Sequence, residues 1–249
     1  MSIFQQIVDW LTDPAHWRTT YGAAGIPQRV LEHLGYTALA VLASAVVAIP
    51  LGAWIGHTGK GGTLVVGIVN SFRALPELGL VILLVLWFGI LNAVPALTVA
   101  LVVLGIPVLL AGTYAGIRNV DRAVVDAARG VGMNEWEILL KVELPNALPL
   151  MFGALRAATL QIIATVSIAA QVSLGGLGRY VIDGFSNHEY DQMASGAILI
   201  AALAIAVELV LTGVQWLVVS PGLRKSGARK ARATSRIHQM AVQSASEST

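Results

Sequence analysis

Three ionisable side chains stand inside otherwise apolar stretches: Arg73 and Glu77 on either side of Pro76, and Glu208 near the middle of residues 193–219. A charge held in hydrocarbon is costly and seldom idle, so each is a candidate pathway or gate group. Gln161 and Thr165 add polar atoms to another apolar run, where they could line a route or bond a neighbouring helix. The bland readings stay open beside these. Arg73 and Glu77 could be a satisfied pair between helices, and Glu208 a protonated or hydrogen-bonded carboxyl at a helix interface. Other chemistries lack their residues. The chain has no cysteine, and its five histidines (His16, His33, His57, His188, His238) show no metal-ligand spacing. Gly59-Lys60-Gly61 lacks the Ser or Thr that follows the lysine of a phosphate loop, and the glycines of residues 174–178 follow an apolar run, not a strand. No catalytic group, metal site or cofactor is expected in this chain.

The long charged segment that sits between strongly apolar ones is residues 121–145, DRAVVDAARGVGMNEWEILLKVELP. Asp121 suits an N-cap for a short helix through Arg129, and Gly130-Val131-Gly132 ends it. Asn134 then caps a second helix with Glu137 in capping-box position; Trp136, Leu139 and Leu140 share a face, and Pro145 is expected to stop it. Two short helices meeting at a glycine turn could read DNA, form a plain loop between spans, or dock on a soluble partner. Arg122, Arg129 and Lys141 are outnumbered by Asp121, Asp126, Glu135, Glu137 and Glu143, the wrong balance for phosphate, so nucleic acid is not an expected partner.

The elements that must hold these groups are membrane spans. Residues are 56% hydrophobic and 12% charged with a mean hydropathy of +0.73, against about 25% charged in a soluble domain. Apolar runs predict five transmembrane helices in an all-α membrane protein, over about residues 34–56, 63–90, 93–117, 146–170 and 193–219. The second is one long span broken near Pro76. Pro50 should kink the first span without ending it, and Arg156 is placed to snorkel from the fourth to the interface. Small residues there (Gly153, Ala154, Ala157, Ala158, Ala164) allow close helix approach. Residues 1–30 carry no expected signal peptide; Ile3, Phe4, Ile7, Trp10 and Leu11 make an amphipathic face for the membrane interface or for packing. Residues 31–220 form the membrane domain, with residues 118–145 as its charged loop. Residues 221–249 read as a basic, disordered tail able to lie on anionic lipid. With the tail in the cytoplasm, five spans put eleven Lys and Arg inside and three (Arg18, Arg29, Arg179) outside, and the N-terminus outside.

Asp126-Ala127-Ala128, three residues, Gly132, nine residues, Val142, one residue and Leu144-Pro145 together closely resemble the EAA signature of ABC importer permeases, with Asp for the usual Glu and Val for the usual Ile. Glu32-His33-Leu34, Ile49-Pro50-Leu51-Gly52, Ala147-Leu148-Pro149, Arg156, Ala158-Thr159 and Gly175-Gly176-Leu177-Gly178 look like the branch that imports osmoprotectants, over roughly residues 30–220; Trp17 to Pro27 looks like an insertion. The resemblance implies a five-span core of the type I importer fold in the bacterial inner membrane. It implies a second permease subunit, identical or paralogous, an extracytoplasmic solute-binding protein, and a pair of ATPase subunits that carry the ATP and Mg. Asp126, Ala127, Ala128, Gly132, Asn134, Glu135, Trp136, Leu139 and Pro145 would then couple to the ATPase. Glycine betaine, choline, carnitine or proline betaine would be the solute. Methionine or another amino acid is the rival within the family, and an ion-coupled secondary transporter, using Arg73, Glu77 and Glu208, the rival outside it.

Overall fold

The structure, a computed structural model, describes residues 2–19 and 24–220, with Arg73 described by its backbone alone. The basic tail and part of the Trp17–Pro27 insertion lie outside the described residues. Every regular element among those described is helical. Ser2 and Gln5 close a capping box at the start of α1 (Ile3–Thr12), and Asp13 caps α2 (Pro14–Trp17). The apolar face of α1 splits: Trp10 is buried, whereas Ile3 and Phe4 are exposed. α3 (Ile26–Thr58) runs through Pro50 unbroken and begins a turn or two before the apolar run, so that Glu32 and His33 lie inside the helix.

α4 (Gly62–Arg73) and α5 (Glu77–Phe88) replace the expected second span, and their axes meet at 87°. Pro76 explains the break, since it has no N–H to continue the ladder and disfavours helical backbone at Leu75. α6 (Ala93–Arg118) and α7 (Arg122–Gly130) follow, then α8 (Glu135–Glu137), a π turn over Ile138–Glu143, and α9 (Leu144–Val166). A 3-10 turn, Ser167–Val172, leads to α10 (Gly178–Asn187) and α11 (Tyr190–Val218). Among the described residues, four helical stretches are long and apolar enough to cross a membrane: Ile26–Thr58, Ile90–Arg118, Glu135–Val172 and Tyr190–Val218. The bent α4–α5 pair makes a fifth if it counts as one span.

The expectation that Pro145 stops the second short helix is corrected. Helix continues from Glu135 through Pro145, because Leu144 N–H reaches back five residues to Leu139 O. That π register inserts a residue ahead of the proline, which then falls in the first turn of α9, where a missing N–H is tolerated.

α6 is the hub, packed against α3, α9, α5 and α4. Its core side chains Leu97 and Leu101 meet Ala40 of α3, Val81 and Val85 of α5, and Ile162 and Val166 of α9. Lipid supplies no hydrophobic drive between helices, so contact area from close approach has to hold them. At Gly112 a Cβ would stand 2.0 Å from the Cβ of Ala154. Gly112→Leu is therefore expected to part α6 from α9 and remove most of the monodisperse protein from size-exclusion chromatography in detergent. Gly153→Ala, with open space around its Cα, is expected to leave the elution profile unchanged.

Candidate functional site

The charged loop is a small folded unit at one end of the bundle. Asp121 Oδ1 accepts from Ala123 N at 3.0 Å and starts α7. Val125 and Ala128 turn inward onto Val120 and Ile138, with Met133 and Val142 alongside, while Asp126 and Ala127 face out. Gly132 then reverses the chain at φ +87°, with no neighbour near its Cα, so glycine is favoured there by the left-handed backbone and not by space. Asn134 and Glu137 close a reciprocal capping box at 3.0 and 3.1 Å. The predicted shared face of Trp136, Leu139 and Leu140 divides. Leu139 is buried against Ala53, Ile117 and Ala147, whereas Trp136 and Leu140 are exposed. With Val124 and Val131 they leave four large apolar side chains of this unit uncovered.

Ion pairs lock the unit to the first long helix. Arg129 grips Glu135 with two bonds, Nε to Oε1 at 2.9 Å and Nη2 to Oε2 at 3.0 Å. Glu135 Oε2 lies 3.2 Å from His57 Nε2, and His57 Nδ1 lies 2.5 Å from Glu143 Oε2. His57 closes α3, and Glu143 closes the π turn with a side chain only 1% exposed. Each ring nitrogen of His57 thus faces a carboxylate oxygen, one from α8 and one from the π turn. The Arg129 bond holds the Glu135 carboxyl below its ordinary pKa. Its stabilising part is thus complete above the unfolded carboxylate pKa and is lost as pH falls through the lowered folded value. Sequence reasoning missed His57 and Glu143. Glu143 follows buried Leu139 at i+4, and that spacing would have marked it as a buried acid in need of a partner.

The intramembrane candidates separate into two groups. Glu77 accepts from Thr165 Oγ1 at 2.8 Å and from Gln161 Nε2 at 3.4 Å, so three of them meet where α5 begins against α9. Gln161 also lines a cavity of about 320 Å³ with Val69, Phe72 and Pro107. The side chain of Arg73 lies outside the described residues. Glu208 is elsewhere, and it is not alone. Arg156 Nη2 bonds its Oε1, and Arg156 Nη1 reaches Gln215 Oε1 at 3.1 Å. Beside the expectation that Arg156 snorkels to the interface stands this pairing, in which a carboxylate on the neighbouring helix stabilises the guanidinium. Arg156→Glu and Glu208→Arg are each expected to lower the membrane level of the protein severalfold, by leaving like charges together. The double swap is expected to recover most of it, read by quantitative immunoblot of isolated membranes.

At the opposite end the glycine turn is tied to α3. Glu32 Oε2 accepts from Gly176 N at 2.8 Å and from Arg29 Nη1 at 3.0 Å, and buried His33 Nε2 lies 3.0 Å from Ile163 O. Gly176 sits at φ +88°. A Cβ at Gly178 would fall 2.0 Å from Ser167 O, so the turn closes only without one.

The chain as a whole is similar to known proteins. The chain is 32% identical over 193 residues to the glycine betaine/carnitine/choline transport system permease protein of Bacillus subtilis, covering 78% of this chain and 88% of that one. It is 30% identical over 197 residues to the osmoprotectant import permease protein of Salmonella typhimurium, covering 78% and 91%. The fold matches a chain of the methionine ABC transporter solved in an inward-facing conformation, with a TM-score of 0.69 at 20% identity, over 84% of this chain and all of that one. A family model described as the inner membrane component of binding-protein-dependent transport systems matches residues 48–225, a span that holds the charged loop, the bent pair and both intramembrane clusters. The chain therefore belongs to the family of binding-protein-dependent transport system inner membrane components.

Proposed function

We propose that this chain is the permease subunit of an ATP-driven importer of compatible solutes, a small quaternary ammonium compound such as glycine betaine, choline or carnitine. The observation that carries the reading is the folded unit at residues 118–145. Val124, Val131, Trp136 and Leu140 are exposed apolar side chains, Trp136 lying beside Trp54, on a unit otherwise rich in charge. Such exposure marks a docking surface, and a separate ATPase subunit is its partner. The solute class rests on the names of the relatives, which are permeases for these compounds.

Five spans, with the bent α4–α5 pair as the second, put the loop and tail in the cytoplasm and the N-terminus outside. ATP and Mg belong to the ATPase pair, and a second permease completes the pathway. An extracytoplasmic binding protein delivers solute to the glycine-turn end. Each closure of the ATPase pair pushes α7 and α8, and the Arg129–Glu135–His57–Glu143 chain passes the push to α3 and α9. ATP shifts the equilibrium between inward- and outward-open states only through contacts that differ between them, and those are made at this loop. Arg73, Glu77, Gln161, Thr165 and Glu208 are the candidate pathway groups, of which Glu77, Gln161 and Thr165 meet at the sharp break between α4 and α5.

Proteoliposomes holding the assembled complex and its binding protein test the reading. Uptake of glycine betaine is expected to need ATP and to survive collapse of ion gradients. Uptake that stops with the gradient while ATP is present would instead assign the chain to secondary transport.

A further inference from the structure

Residues of α1 and α2, Arg18, and the starts of α3, α10 and α11 line a partly open cavity of about 310 Å³ at the end of the bundle away from the charged loop. Its lining mixes two chemistries. Arg18, Arg29 and Arg179 contribute three guanidinium groups. Arg29 spends one nitrogen on Glu32, but its Nε is buried without a partner. Arg179 is paired with Asp183 at 2.9 Å, and Arg18 has no ion pair among the described residues. Two carboxylates thus oppose three guanidiniums, and the cavity is left with an excess of one positive charge. A buried N–H without an acceptor and an uncompensated cation both favour a ligand that brings one carboxylate.

The other chemistry is aromatic. Trp10 lines the cavity, stacked on His16 at 4.1 Å and meeting the edge of Tyr180 at 5.1 Å. Tyr180 donates to Ala24 O at 3.2 Å, so its ring is held in place before any ligand arrives. Rigid aromatic surface beside the Asp183 carboxylate suits a quaternary ammonium, which attracts ring faces and needs no hydrogen-bond acceptor. At about 30 Å³ for each water-sized unit, the volume takes roughly ten non-hydrogen atoms.

We propose that this cavity is a receiving site for a small zwitterion bearing a carboxylate and a quaternary ammonium, built largely by the N-terminal segment. The site rests on the importer reading given above and adds to it. The permease itself, and not the binding protein alone, selects carboxylated over plain quaternary ammonium compounds. Arg18, Arg29 and Arg179 take the carboxylate; Trp10, Tyr180 and Asp183 take the ammonium end.

The test uses the assembled permease–ATPase complex in nanodiscs, freed of binding protein, with radiolabelled glycine betaine as probe and choline and acetate as competitors. Betaine is expected to bind saturably, with choline and acetate each about tenfold weaker, because each lacks one half of the recognition. Arg18→Gln, an exposed position that holds no helix together, is expected to weaken betaine about tenfold and leave choline unchanged, with ATPase co-purification intact. Absence of saturable betaine binding, or choline binding equal to betaine with Arg18→Gln silent, overturns the proposal. So does an Arg18→Gln effect confined to docking of the binding protein, which would make the cavity a protein contact. ATP-driven betaine uptake is measured on the same complex. Uptake without such binding sinks the site and leaves the importer reading standing. Arg18-dependent binding of methionine, with no betaine bound or transported, sinks both the ammonium assignment and the solute class.

Discussion

Glu143→Leu is expected to destabilise the assembled subunit by about 1–3 kcal/mol, the cost of leaving buried His57 Nδ1 without its hydrogen-bond partner. Glu143 is almost fully enclosed, and its 2.5 Å contact with His57 joins the π turn to the last turn of α3. His57→Leu alone strands the carboxylate and is expected to cost a similar amount. The double substitution, which replaces the pair by apolar side chains where Leu139 already lies beside His57, is expected to recover most of the loss. Thermal unfolding of the four proteins in detergent, read by intrinsic tryptophan fluorescence, completes the cycle. Additive losses would show that the two residues do not act as a pair. The double mutant also separates stability from transmission. A protein that is stable but hydrolyses ATP without importing solute would locate the mechanical link in the ion pair itself.

The second large effect is at Gly132. Its φ of +87° lies where a β-branched side chain is strained, at about 1–3 kcal/mol, and the loop has two routes of relief. Either the turn opens and α8 swings away from α7, or the small apolar core of Val120, Val125, Ala128 and Ile138 loosens. Both displace exposed Trp136 and Leu140. Gly132→Val is therefore expected to leave the subunit in the membrane at near-normal level while uptake falls at least tenfold and ATP hydrolysis loses its stimulation by loaded binding protein. Gly132→Asn, which tolerates left-handed backbone, is expected to retain most of the uptake. Open space around Gly132 makes the comparison clean, because a Cβ there meets no neighbour within 4 Å. Normal transport by Gly132→Val would remove the loop from the coupling path.

Long apolar runs made the helices legible, and caps made the loop legible. Asp121, Asn134 and Glu137 bond as their spacing required, because capping is settled within four residues of chain. The bend at Pro76 was visible as a break and not as an angle. A proline says where the ladder stops, whereas the 87° follows from how α4 and α5 pack on α6. Pro145 shows the same limit. Its missing N–H predicted an end, and a π turn absorbed it instead, a choice made by the burial of Ile138, Leu139 and Glu143.

Local pattern determined the elements of this protein: which stretches are apolar enough for a membrane, where helices start, and which glycine must turn the chain. Partnership between distant residues was decided only by the tertiary structure. Arg156 and Glu208 are 52 residues apart, His57 and Glu143 are 86 apart, and Glu77 and Thr165 are 88 apart. Nothing in the one-dimensional order announces that these charges and hydroxyls meet. Hydrophobicity and capping are properties of a few successive residues, but an ion pair in a dry interior depends on which faces of separate helices are brought together. That is settled by close packing at positions such as Gly112 against Ala154.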